Sequence, residues 1–222
     1  MSNKLEFNQL NQKIRFKERK FKFTENQVDF LKTALDPDCK LLFLAGPAGT
    51  AKTYMAVYSA LQIMMDSDLE KDILYIRSIA ESAQRSMGAL PGSLDEKFAI
   101  FATPFYDKLD EMITTTDIRL LREKNMFSCI PVNYVRGSNW NDTVVIIDEA
   151  QNFSYNELLT CLTRIGENSK IIICGDAMQS DINNSGFAHI FNVFNDEESQ
   201  NNGVVCKQFT ADDIKRSEIV KF

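Results

Sequence analysis

KLLFLAGPAGTAKT, residues 40–53, is the stretch that decides the fold. Its first half, KLLFLAG, is an apolar run of the kind found in a strand covered on both faces. Its second half, GPAGTAKT, differs by one letter from the phosphate-loop pattern G-x-x-x-x-G-K-[S/T], because Ala51 stands where a glycine is expected. From Lys52 to about Met65 the sequence reads as a helix. A glycine-rich loop between a buried strand and a helix start aims backbone N–H groups and the positive end of the helix dipole at an anion. Gly46, Pro47, Ala48, Gly49, Thr50 and Ala51 are therefore expected to cradle nucleotide phosphates. Lys52 is expected to reach the β- and γ-phosphates, and the Thr53 hydroxyl to ligate Mg2+. If position 51 needs a left-handed backbone, its methyl group costs about 1–2 kcal/mol, or about tenfold in affinity. Such a cost tunes binding without abolishing it.

Two further patterns follow buried strands downstream. TVVIIDEA, residues 143–150, is a β-branched run ending in Asp148 and Glu149. At the carboxyl edge of a parallel sheet these acids face the ligand crevice. Asp148 is expected to hold Mg2+ through its water shell, and Glu149 to orient and polarise the attacking water. KIIICGDAMQ, residues 170–179, brings Gln179 to the same edge. Its neutral amide suits a hydrogen bond to the γ-phosphate or the attacking water.

The remaining elements complete an alternating order. FTENQVDFLKTAL carries a capping box, Thr24 with Gln27, and apolar spacing at Val28, Leu31 and Leu35. DILYIRS (72–78) and IPVNYVRG (130–137) read as strands, and the interval 80–128 as mostly helical with a Leu-Pro-Gly break at 90–92. SGFAHIFNVF reads as a helix, GVVCKQFT as a last strand and ADDIKRSEIVKF as a last helix. Strands alternating with helices predict an α/β fold with a mostly parallel sheet covered on both faces. One domain is expected over 24–222, preceded by a basic segment, 1–23.

Composition narrows the class. No apolar run approaches the ~20 residues of a bilayer span, and the N-terminus lacks the apolar stretch of a secretion signal. Five scattered cysteines (Cys39, Cys129, Cys161, Cys174, Cys206) suit a reducing cytoplasm and argue against a disulfide framework or a zinc site. His189 is the only histidine, in an apolar helical stretch that favours packing over catalysis. The net charge is −6, yet KIRFKERKFK (13–22) alone carries +5. That run is open to two readings, a solvated face or a contact with nucleic acid or an acidic neighbouring subunit. The interleaved Ile14, Phe16, Phe21 and Phe23 suggest ordered, strand-like pieces.

GPAGTAKT, LPGSLDEKF, NYVRG, VVIIDEAQN, LTRIG and CGDAMQSD occur in the order seen in the phosphate-starvation-inducible PhoH-like family. From about Phe23 onward the chain resembles that family, a single-domain relative of superfamily 1 helicase motors of the RecD type. The resemblance implies a RecA-like P-loop core, ATP with Mg2+, and action on RNA or single-stranded nucleic acid. It also implies that Gln27 reads adenine, although the capping box alone would explain that residue. Arg216 looks like the family's arginine after the last strand, approaching the γ-phosphate. Ala51 and the stretch AESAQRSMGALPGS depart from the family's pattern. Superfamily 1 motors complete their site with an arginine from a second motor domain, so a head-to-tail homo-oligomer, most simply a hexameric ring, is expected. Arg136 and Arg164 are then candidates to reach across. Two rival readings stand beside this ATPase: a small-molecule kinase, and a non-catalytic nucleotide-gated binding module.

Overall fold

The computed structural model describes residues 14–18, 22–66, 71–78, 94–135, 137–176, 179–180, 182 and 185–215. Among them run α1 (Glu25–Leu35), β1 (Leu41–Ala45), α2 (Lys52–Met64), β2 (Asp72–Arg77), α3 (Leu94–Met112), α4 (Thr115–Glu123) and β3 (Phe127–Pro131). They are followed by β4 (Thr143–Asp148), α5 (Tyr155–Leu162), β5 (Lys170–Gly175), α6 (Phe187–Phe194), α7 (Glu197–Asn201) and β6 (Val204–Gln208). The strands form one sheet in the order β3-β2-β4-β5-β1-β6, every pair parallel.

Strand alternation explains the layering. Leu42 and Leu44 of β1, Val144 and Ile146 of β4, and Ile172 and Cys174 of β5 face one apolar layer. There they meet Phe30 of α1, Met55 and Ala56 of α2, Phe105 and Leu109 of α3, and Leu121 of α4. Phe43, Val145, Ile147, Ile171 and Ile173 face the other layer, against Leu158 of α5 and Phe187 and Phe191 of α6. A strand that is apolar on both faces is stable only inside a sheet with helices above and below. This is the α/β architecture, a parallel sheet covered on both faces, that the sequence predicts. β5 lies between β1 and β4. The three strands end at Ala45, Asp148 and Gly175 on one edge, so the phosphate loop, the acid pair and the Gln179 loop leave the sheet side by side.

Several local expectations are corrected. The helix at 25–35 has the predicted capping box, but it buries Gln27, Phe30 and Ala34, while Val28 and Leu35 are exposed. The buried face is the one that meets α2 and Phe209, and the spacing of the aliphatics alone does not mark it. The strand expected over 130–137 begins earlier, at Phe127, and stops at Pro131. It pairs with β2 only as far as Arg77, where β2 also ends. Val132–Tyr134 then turn as a 3-10 helix that buries Val132 and exposes Tyr134. The expected last helix is, where described, a single 3-10 turn, Ala211–Asp213, followed by extended Ile214. No strand forms at 14–18; Ile14 is buried and Phe16 packs on Tyr58. The Leu-Pro-Gly break, Phe21, Arg136 and Arg216 lie outside the described residues. His189 is exposed, 5.7 Å from the Tyr155 ring, and the five cysteines are unpaired. Among the described residues no helix is long and apolar enough to cross a membrane.

Candidate active site

The phosphate loop is shaped from within and braced from outside. Gly49 and Ala51 are both left-handed, at φ 81° and φ 64°. The Thr50 hydroxyl donates to the Pro47 carbonyl at 2.8 Å, and the Lys52 ammonium to the Gly46 and Pro47 carbonyls at 2.6 and 3.0 Å. Ala51 is the N-cap of α2 and offers no side-chain cap, so this helix start is open to an anionic ligand in place of a cap. Gly46 passes so close to Phe209 that a Cβ there would lie 2.9 Å from the Phe209 Cβ. The buried Gln27 amide donates to the Thr50 and Asp213 carbonyls at 3.1 and 3.2 Å, and its oxygen accepts the Thr24 N–H at 3.1 Å. The Lys215 N–H donates to the Gly49 carbonyl at 2.9 Å. Asp213 ties this rear brace together, accepting from Thr24, Asn26 and the Thr210 N–H. Burial pushes its carboxyl up, but those hydrogen bonds outweigh burial and hold it below the usual range.

The left-handed geometry at Ala51 is the case in which its methyl group carries a cost. Ala51→Gly removes about 1–2 kcal/mol of backbone strain and gives back about 0.4–1 kcal/mol through the freer unfolded chain. The variant is expected to be up to about 1.6 kcal/mol more stable and to hold nucleotide within about tenfold of the parent. Thermal melts with and without nucleotide check both quantities. A parent chain that binds nothing until Ala51→Gly rescues it would show that the methyl group blocks the site.

Sheet topology brings the metal-ligating candidates together. The Thr53 hydroxyl, on the first turn of α2, donates to Asp148 Oδ1 at 2.9 Å and Oδ2 at 3.2 Å. Asp148 is buried, and its Oδ2 also accepts the Tyr75 hydroxyl at 2.6 Å. Burial first, then the Asp148 charge and hydrogen bond, raise the Tyr75 pKa well above normal, so the phenol stays a donor. A hydroxyl and a carboxylate within one hydrogen bond of each other make a hard, all-oxygen pair that suits Mg2+.

Glu149 has left-handed backbone, at φ 53° and ψ 43°, a strained state for a non-glycine residue of the kind that gathers at functional sites. Its Oε2 accepts the Gln151 amide at 2.5 Å, and its Oε1 lies 3.8 Å from Arg77. The Gln151 oxygen in turn accepts the Asp176 N–H at 2.9 Å, which links the end of β4 to the loop after β5. Gln179 lies on that loop, its N–H on the Asp176 carbonyl at 3.2 Å. Gly175 has no room for a side chain, since a Cβ would lie 2.7 Å from the Phe187 ring.

A cleft of about 500 Å³ joins these groups: Ala48, Gly49, Ala51, Lys52, Thr53, Asp148, Glu149 and Gln179 all line it. Lys108 and Glu111 of α3, Tyr54, Asp176 and Lys215 line it too, and sequence reasoning named none of them. The phenol of Tyr75 in an otherwise aliphatic strand was a legible signal, because a buried tyrosine hydroxyl needs a partner. Arg216 directly follows Lys215, which lines the cleft. Arg164 is elsewhere. It lies just before β5 begins, and its carbonyl accepts the Trp140 N–H, at the opposite edge of the sheet. Its Nε is buried with no hydrogen-bond partner among the described residues.

The family model described as PhoH-like protein matches residues 21–222. A PhoH-like protein of Bacillus subtilis is 39% identical over 142 residues, covering 64% of this chain and 44% of that protein. One of Synechocystis is 35% identical over 182 residues, covering 81% of this chain and 54% of that protein. The chain thus spans about half the length of these curated relatives. The Pif1 helicase from Candida albicans superposes with a TM-score of 0.42 at 15% identity, over 86% of this chain and 40% of that one.

Proposed function

We propose that this chain, which belongs to the PhoH-like protein family, binds ATP with Mg2+, hydrolyses it, and couples turnover to RNA or another single-stranded nucleic acid. The observation that carries the reading is the meeting of Thr53 and Asp148, 95 positions apart, beside the phosphate loop and in one cleft with Lys52, Glu149 and Gln179. Thr53 and Asp148 would hold Mg2+, which when bound neutralises charge on the β- and γ-phosphates. Lys52 would exchange its two loop carbonyls for phosphate oxygens. Glu149 would accept a proton from the attacking water as the bond from the γ-phosphorus to its bridging oxygen breaks. Gln179 would hydrogen-bond the water or the γ-phosphate, and Arg216 would approach that phosphate from the segment after Lys215. For Gln27 to read adenine, its amide would have to release the Thr50 or Asp213 carbonyl, both of which it now holds.

Nucleic acid as the target follows from the family resemblance and from the +5 charge of residues 13–22 on an otherwise acidic chain. A head-to-tail homo-oligomer, with a hexameric ring as its simplest closed form, is supported by Arg164. From the edge opposite its own cleft, that residue could meet only a neighbour's nucleotide, as a heterologous interface permits. An arginine so supplied is worth about 10³–10⁵ in rate.

The test is ADP release with Mg2+ in the presence of single-stranded RNA, single-stranded DNA and duplexes. Stimulation by one single strand, with a specific rate that rises with protein concentration, is expected. A concentration-independent rate from a monomer would sink the shared site. Glu149 already engaged by Gln151 and Arg77 is the observation favouring a second reading, a nucleotide-gated binding module. Tight ATP binding with no ADP formed over hours would select it.

A further inference from the structure

Tyr75 lies on β2 with Ile146 of β4 as its register partner, so Asp148 is its diagonal neighbour, within reach of an aromatic side chain. Its ring is 1% exposed and packs 5.2 Å from Phe105. Ile73 on the same face fills its place with an aliphatic side chain, so packing alone does not call for a phenol. The hydroxyl is spent on Asp148 Oδ2, at 2.6 Å. Thr53 stands nearer the other oxygen, 2.9 Å from Oδ1 against 3.2 Å from Oδ2. The two oxygens are thereby unequal: Thr53 reaches both, but only Oδ2 also carries the hydroxyl of a buried ring.

We propose that Tyr75 is a positioning residue that makes Asp148 offer one oxygen only, and so selects Mg2+ over larger divalent ions such as Ca2+. The proposal rests on the reading of the cleft as a metal–nucleotide site. Ca2+ readily takes a carboxylate through both oxygens in a flexible shell, whereas Mg2+ demands near-octahedral geometry and keeps most of its waters. A carboxylate whose second oxygen is held by a phenol can still meet the water shell of Mg2+ through its other oxygen, but is set against the direct two-oxygen mode open to Ca2+. The preference would then be built into the sheet, where β2 and β4 fix the distance between hydroxyl and carboxylate.

Tyr75→Phe removes the hydroxyl and keeps the ring on Phe105. The probe is a fluorescent ADP analogue, titrated with Mg2+ and separately with Ca2+. In the variant the Mg2+ midpoint is expected to weaken about tenfold or more, the usual effect of losing a group that orients a metal ligand. The Ca2+ midpoint should hold or improve, so the preference for Mg2+ collapses. Phe105→Leu is the structural control: it thins the packing beside the ring but keeps the Tyr75 hydroxyl on Asp148, so it should lower the melting temperature yet leave the preference intact. A Mg2+ to Ca2+ ratio in Tyr75→Phe within about twofold of the parent would overturn the proposal. Failure of the underlying reading looks different. In that case ADP affinity in the parent is indifferent to Mg2+ and to Asp148→Asn, and the metal–nucleotide cleft falls together with the role of Tyr75.

Discussion

Lys52→Ala is expected to remove most of the nucleotide affinity. In the structure the ammonium bridges the Gly46 and Pro47 carbonyls, at 2.6 and 3.0 Å, which places it over the hollow of the loop. On arrival of a triphosphate those neutral acceptors would be replaced by charged oxygens. Hydrogen bonds to charged groups contribute about 1.5–3 kcal/mol each. Losing two of them costs about 10²–10⁴ in Kd. The fold should survive, because the side chain is only partly buried and the bonds it loses are local to the loop. Calorimetric titration with ATP and Mg2+, beside a thermal melt, separates the two effects. A folded Lys52→Ala chain that binds ATP within about threefold of the parent would mean that the phosphates lie elsewhere.

Glu149→Gln is expected to divide binding from chemistry. The substitution keeps the length of the side chain, and the amide oxygen can still accept from Gln151 where Oε2 does now, at 2.5 Å. Thr53, Asp148 and Lys52 are untouched, so ATP should bind as in the parent. The base is gone, and a positioned general base contributes about 10²–10⁴ in rate. Single-turnover hydrolysis should fall by that factor at nearly unchanged affinity. Hydrolysis at the parent rate would remove Glu149 from the reaction and point to another carboxylate on the cleft, with Glu111 and Asp176 the next to test. The Arg77 contact is lost in Glu149→Gln and Glu149→Ala alike and adds little to either. At 3.8 Å between half-exposed groups the ion pair is weak, so its loss alone should leave stability almost unchanged.

Much of this site was legible before any coordinates, and the reason is locality. KLLFLAG, TVVIIDEA and KIIICGD announce buried strands through unbroken apolar runs. The phosphate loop, the acid pair and Gln179 each follow such a run directly, and the ligand edge of a parallel sheet is by rule its carboxyl edge. For Ala51 the loop pattern set only a condition, a cost if the backbone there were left-handed, and the structure supplied the φ of 64°. The capping box at Thr24 was readable because both partners lie within four residues.

Contacts between distant positions were not readable in the same way. The aliphatics Val28 and Leu35 promised a buried face, yet Phe30 and Ala34 took it, because the face of α1 is chosen by what α2 and Phe209 present. The strand drawn through 130–137 stopped at Pro131, because a strand persists only as long as its neighbour, and β2 ends at Arg77. Gln27 is both cap and brace because the Thr50 and Asp213 carbonyls arrive behind it. Sequence by itself determined which residues could do phosphate chemistry and that they would leave one sheet edge. Sheet order and register decided which of them touch: Thr53 and Tyr75 on Asp148, Gln151 and Arg77 on Glu149, Lys215 at the loop. Local pattern carries no information about those pairings, since a hydroxyl or an amide accepts many partners and only packing of the whole sheet leaves it one.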